Sequence, residues 1–202
     1  MGQIKGIVIH SNQLKNHLIL NSKTIDMIHK YKVVRACTNL KPKLIKPFSD
    51  RSIDILFFEK FKRLNRTKQA FQLINIFRNY STYNIVELKY GEYKTQDMEL
   101  LANDSKFIIY FSFYDTGAIG LKEIQNYGVY TFTHQKEFVI NKETSFYIPE
   151  LTKKDEMFSS FNKIIKIIKK ILLSKPNSEL IAQKNQEINK CKNALKDLCD
   201  SL

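Results

Sequence analysis

Between residues 51 and 150, short apolar runs alternate with amphipathic stretches in units of about 25 residues, the pattern of a parallel sheet covered on both faces. Ile53–Phe58 (IDILFF) is an apolar run suited to a strand buried on both sides. Asn65–Asn79 spaces Ala70, Phe71, Leu73, Ile74, Ile76 and Phe77 as an amphipathic helix. Asn84–Leu88 reads as a second strand, closed by Lys89-Tyr90-Gly91, and Thr95–Asn103 as a helix burying Met98, Leu100, Leu101 and Ala102. Phe107–Phe113 is the third expected strand, Gly117–Tyr127 the next helix and Val129–Thr133 the fourth strand, with Gly128 where a left-handed helix stop is wanted. Phe138–Ile140 and Ser145–Ile148 are two further apolar pieces. Such sheets bind ligands at the C-terminal ends of their strands, near the point where strand order reverses. Asp115 follows the third strand and is expected on that edge.

The flanks differ. Residues 1–50 offer a strand stub at Ile7–His10, short helices at Asn12–Leu20 and Thr24–Tyr31, a strand at Lys32–Cys37, and a linker, Asn39–Asp50, holding Pro42 and Pro47. They read as the remnant of an N-terminal domain and its crossover. Residues 51–175 form the expected main domain and 176–202 a helical tail. Lys154–Leu173 is a Lys- and Ile-rich amphipathic helix, broken by Lys175-Pro176-Asn177, with Ser178 as N-cap of a last helix. There Ile181, Ile188, Leu195 and Leu202 stand seven apart, with Cys191 and Leu198 between, as a heptad-like seam or as a helix laid on the domain surface.

The chain has 202 residues and a 43% hydrophobic content, enough for a real core. Its net charge of +13 is uneven: residues 1–80 carry sixteen basic and four acidic side chains, whereas residues 81–150 carry six against ten. A basic front edge suits a phosphate-bearing partner, and it equally suits a solvated surface. Cys37, Cys191 and Cys199 are odd in number and make no CxxC, so a reducing compartment is expected. His10, His17, His29 and His134 lack metal-ligand spacing. No apolar run reaches the length of a membrane span, and a cytoplasmic location is the default. D-x-D, G-x-G-x-x-G and Walker A patterns are absent, and neither metal nor other cofactor is called for.

One segment is more specific. Ser112, Asp115, Gly117, Glu123 and Gly128 follow the order S-x-x-E-G-F-G-x-x-x-x-E-A-x-x-x-G, with Asp for the first acid and the glycines shifted to Thr116-Gly117-Ala118-Ile119-Gly120. This resembles the E-x7-E segment of retaining GT-B glycosyltransferases, the group 1 or family four-like type. Asp54–Phe58 followed by Lys60, Arg63, Arg66 and Lys68 resembles that family's first strand and basic loop, with Glu59-Lys60-Phe61 in place of its Gly-Arg. Similarity covers most of residues 5–175.

The resemblance implies an α/β class with a Rossmann-like parallel sheet, helices on both faces (the C-terminal half of a GT-B fold) and C-terminal helices. It implies transfer of a hexose from a nucleoside-diphosphate sugar (UDP- or GDP-sugar) to an acceptor hydroxyl on a glycan, lipid or protein, with retention and without metal. The alternative is a non-catalytic nucleotide-sugar-binding module, or one half of a split enzyme. The N-terminal domain that supplies the family's acceptor side is largely missing, so this chain alone is expected to be inactive. A nucleic-acid partner is not expected. By resemblance, Glu123 accepts hydrogen bonds from ribose hydroxyls, and Asp115 contacts the sugar, with Thr116, Gly117 and Ala118 offering backbone N–H groups. Read without the resemblance, Glu123 is an exposed helix glutamate and Asp115 an N-cap. Lys60 and Arg66 are the candidates for the diphosphate, Glu87, Lys89 and Tyr90 for the base pocket, and His134 for the crevice edge. No catalytic residue is assigned.

Overall fold

The computed structural model describes residues 7–9, 31–33, 41–60, 68–89, 91–112, 119–136, 139 and 141–189. Five parallel strands form the main sheet: β3 (Ile53–Glu59), β4 (Ile85–Lys89), β5 (Ser105–Phe111), β6 (Tyr130–Thr133) and β7 (Ser145–Tyr147). Their order is β4-β3-β5-β6-β7. Helices α1 (Lys68–Tyr80), α2 (Thr95–Asp104), α3 (Ile119–Gln125), α4 (Met157–Leu173) and α5 (Ser178–Asn189) surround it. The Rossmann-like α/β arrangement with helices on both faces is therefore present, and each expected strand from residue 53 to 133 lies within about two residues of its observed position.

The order explains which face each helix covers. The step from β3 to β4 runs one way along the sheet, and the step from β4 to β5 runs back across β3. Crossovers of one hand must then change face at that reversal. Accordingly α1 packs Ala70, Leu73, Ile74 and Phe77 against Ile55 and Phe57 on one face. On the other face, α2 and α3 pack Met98, Ala102, Leu121 and Ile124 against Leu56, Phe58, Ile108 and Tyr110. Helix α4 returns to the α1 side, where Phe161 meets Phe77 with ring centroids 4.9 Å apart. The reversal falls between β3 and β5, so the switch point lies at the ends of those two strands. This five-strand order has one strand fewer on the β4 flank than the six-stranded order 3-2-1-4-5-6.

β1 (Ile7–Ile9) and β2 (Tyr31–Val33) form a separate parallel pair, in register Ile7↔Tyr31. Part of the expected linker is packed. Phe48 joins the core, edge-on to Phe107 and Tyr130, and a 3-10 turn at Phe48–Asp50 leads into β3. The short helices expected in residues 12–30, the piece around Phe138 and Ile140, and the tail beyond Asn189 lie outside the described residues, and Tyr31, expected to end the second of those helices, opens β2 instead.

The C-terminal elements depart from expectation in two ways. The expected helix from Lys154 begins with 3-10 turns at Pro149–Thr152 and Lys154–Glu156, and α4 proper starts at Met157. Asn177, not Ser178, caps α5: its Oδ1 accepts from the Leu180 N–H at 3.1 Å, while Ser178 is a buried first helical residue. Helix α5 lies on the body through Ile181, Ala182 and Asn185, whereas Ile188, a seam residue, is exposed. Asn185 donates to the Gln125 carbonyl at 2.8 Å and accepts from Asn141 and Thr144. Gly128 has φ +75°, as its place after α3 requires, and a Cβ there would sit 2.2 Å from the Ser178 carbonyl oxygen.

Candidate functional site

The C-terminal ends of the five strands carry the polar residues of this edge. Strand register sets their level, and strand alternation sets their face. Glu59 stands level with Lys89 and Phe111, and Phe111 is next to His134 because Tyr110 pairs with Thr133. Glu59 continues the Ile55, Phe57 series and His134 the Tyr130, Phe132 series, so both fall on the α1/α4 side. Lys60 continues Leu56 and Phe58, and Ser112 continues Ile108 and Tyr110, so these two fall on the α2/α3 side. The Lys60 N–H donates to the Phe111 carbonyl at 2.9 Å, which carries the β3–β5 ladder one residue past β3.

The expected site residues thus divide. Lys60 belongs to the α2/α3 side of the edge and His134 to the opposite side, while Glu123 lies on α3, on the face that α2 and α3 cover. Glu123 is half-buried on α3. Its charge is felt by the Tyr127 phenol, which burial, then the charge and hydrogen bond of Glu99, and then Glu123 push up to about 12. Glu123 therefore lies within electrostatic reach of Tyr127, the residue that follows α3 on the way to β6. Asp115, Thr116, Gly117, Ala118 and Arg66 lie outside the described residues, as do Arg63 and Tyr90. Of the base-pocket candidates, Glu87 is paired with Arg78 of α1 at 2.7 Å, and Lys89 with Glu92 at 3.5 Å.

His134 packs its ring against Phe111, centroids 5.2 Å apart. Burial pushes the imidazole down to about 4, although hydrogen bonding to the Ser112 and Tyr110 backbone pulls the other way. At neutral pH this ring is uncharged. It can exchange hydrogen bonds with a hydroxyl but offers no positive charge to a phosphate.

Two residues of the edge, Glu59 and Ser112, stand in the segments that carry the resemblance but had no site role assigned from the sequence. Glu59 is only 7% exposed, a carboxylate closing an apolar strand. The signal was the acid directly after IDILFF, at the switch point. Ser112 is fully buried just past β5, and its Oγ has no hydrogen-bond partner among the described residues. Among the described residues, no cluster of His, Cys, Asp and Glu could hold a metal ion. A groove of about 700 Å³ between Phe48, Lys106, Leu172 and Pro176 lies at the other edge, where β5 begins. None of the expected site residues lines it, and its Lys106 is paired with Asp54 at 2.8 Å.

Fold and edge together define a Rossmann-like α/β protein with a polar switch-point edge. The chain matches no protein-family model and no curated protein. No helix among the described residues is long and apolar enough to cross a membrane.

Proposed function

We propose that this chain is the donor-binding part of a cytoplasmic glycosyltransferase, which transfers a hexose from a nucleoside-diphosphate sugar to an acceptor hydroxyl. The observation that supports it most is the position of the switch point. The central strand β5 ends there at Phe111, beside Lys60, and the segment holding Asp115 follows directly. In the transfer, the acceptor oxygen bonds to the anomeric carbon as the bond from that carbon to the diphosphate oxygen breaks, and the hydroxyl proton goes to the departing diphosphate. The leaving group gains negative charge, and Lys60 and Arg66 stabilise it. Asp115 and Glu123 accept hydrogen bonds from sugar and ribose hydroxyls, and the Thr116, Gly117 and Ala118 backbone N–H groups donate to the same ligand. The acceptor, on a glycan, lipid or protein, is presented by a second α/β unit to which the β1–β2 pair belongs.

A second reading is donor binding without turnover. His134 is consistent with it, since this ring is held neutral and falls on the face of the edge opposite Lys60, where it adds no charge to the diphosphate side.

Calorimetric titration with UDP and GDP tests the shared part of both readings. Binding is expected in the micromolar to millimolar range, about −4 to −8 kcal/mol. Glu123→Ala should weaken it by about 1–3 kcal/mol with circular dichroism unchanged. Absence of binding to every nucleoside diphosphate would refute the donor site.

A further inference from the structure

We propose that the outer face of α4 and the start of α5 dock on an anionic lipid surface. Residues 157–178 contain Lys163, Lys166, Lys169, Lys170 and Lys175 and no acidic residue. All five lysines are exposed. Lys163 reaches Glu150 at 3.5 Å, and no ion pair among the described residues uses the other four. The nearest acids in sequence, Asp155, Glu156 and Glu179, lie beyond the two ends of that stretch. Lys166 stands three and four residues from Lys169 and Lys170, so like charges neighbour each other on one helix face, an arrangement that costs stability until a negative partner offsets it.

The same face carries apolar side chains. Leu173 is 85% exposed and lies three and four residues after Lys170 and Lys169, which puts it among the lysines. Leu172 and Leu180 are exposed nearby, at 40% and 51%. The inner face of α4 is spent on the core through Phe161, Ile164, Ile168 and Ile171, and Leu173 lies outside that buried set. Cations around protruding leucines match an interface of anionic headgroups over hydrocarbon. A nucleic acid fits less well. The stretch has no arginine to fork onto phosphate, and its exposed aromatic, Phe158, lies at the far end of the helix. The contact is peripheral and does not depend on the donor site.

The full chain is sedimented with vesicles of phosphatidylcholine alone and of phosphatidylcholine mixed with phosphatidylglycerol. Binding is expected to the mixed vesicles only, and to weaken as salt is added. Each lysine near such a surface strengthens binding about fivefold, so Lys166→Gln, Lys169→Gln and Lys170→Gln combined should weaken it roughly a hundredfold. Leu173→Ser should also weaken it. A control that removes the same charge elsewhere, Lys41→Gln, Lys43→Gln and Lys142→Gln, should bind almost as the parent does. All of these side chains are exposed, and unchanged melting curves would establish that the variants fold. The proposal is overturned if mixed vesicles are not bound, if phosphatidylcholine alone binds equally, or if the control loses as much as the α4 variant. It is also overturned if single-stranded RNA displaces the vesicles and its binding is lost with the same three lysines.

Discussion

Burial against Phe111 holds the His134 imidazole neutral in the folded chain down to about pH 4, whereas an unfolded histidine protonates near 6.5. The folded value lies below the unfolded one. Between pH 6.5 and 4 the unfolded chain therefore binds a proton that the folded chain does not, and stability falls as the pH drops through that window. The full effect is about 3 kcal/mol. His134→Phe should remove this part of the pH dependence. Urea unfolding at pH 7 and pH 4.5 checks it: the parent should lose more stability than the variant, and equal losses would refute the burial argument. His134 was legible in the sequence as a residue at the end of a strand. Its neutrality was not, because that depends on Phe111, a neighbour through sheet register rather than sequence. The same holds for Glu59, whose burial follows from the strands on either side of it, and for the division of Lys60 and His134 between two faces of the edge, which strand order and alternation set together.

Strands and helices of the main sheet were legible because apolar period and turn residues agree along the chain: IDILFF for β3, the spacing of Ala70, Leu73, Ile74 and Phe77 for α1, and Gly128 as the stop after α3. The docking of α5 was not. A seven-residue apolar period marked Ile181 and Ile188, but the buried face is Ile181, Ala182 and Asn185. An asparagine enters a core only when its amide is satisfied, and the partners are Gln125, Asn141 and Thr144, distant in sequence. Gly128 serves this contact as well as the turn. Substitution by alanine meets a positive φ and a carbonyl oxygen 2.2 Å away, so α5 must shift from the body. Gly128→Ala should cost about 2–4 kcal/mol and lower the melting temperature by roughly 5–15 °C. Amide exchange should speed up first in Ser178–Asn189, and an unchanged melt would show that the close approach is absent.

At the scale of the molecule, charge and alternation predicted a basic α/β chain, yet they gave no reason to separate Arg51 from the other 32 basic residues. It is 2% exposed. Its Nε donates to the Lys46 carbonyl at 3.1 Å, and its two terminal nitrogens to those of Ser105 at 2.6 Å, Tyr127 at 2.6 Å and Gly128 at 3.4 Å. One guanidinium thus joins the segment before β3, the start of β5 and the turn into β6. Burial lowers its pKa to about 10, with the Asp104 charge opposing, so it stays charged at neutral pH. Asp104 is itself held by Lys46 and Ser52. A planar fork with several fixed donors suits this position, and a single ammonium does not. Arg51→Met would leave these carbonyls without their donor in the interior, costing about 3–5 kcal/mol. Arg51→Lys should recover only part of that. Because the clasp ties three parts of the sheet's N-terminal edge, the loss should be cooperative: the urea midpoint falls in one transition seen alike by fluorescence and circular dichroism. The candidate donor site lies at the opposite edge, so whatever nucleotide affinity the parent shows should persist in the folded variant. A midpoint within about 0.5 kcal/mol of the parent would refute the clasp. Two separate transitions would instead mean that Arg51 holds only the segment before β3.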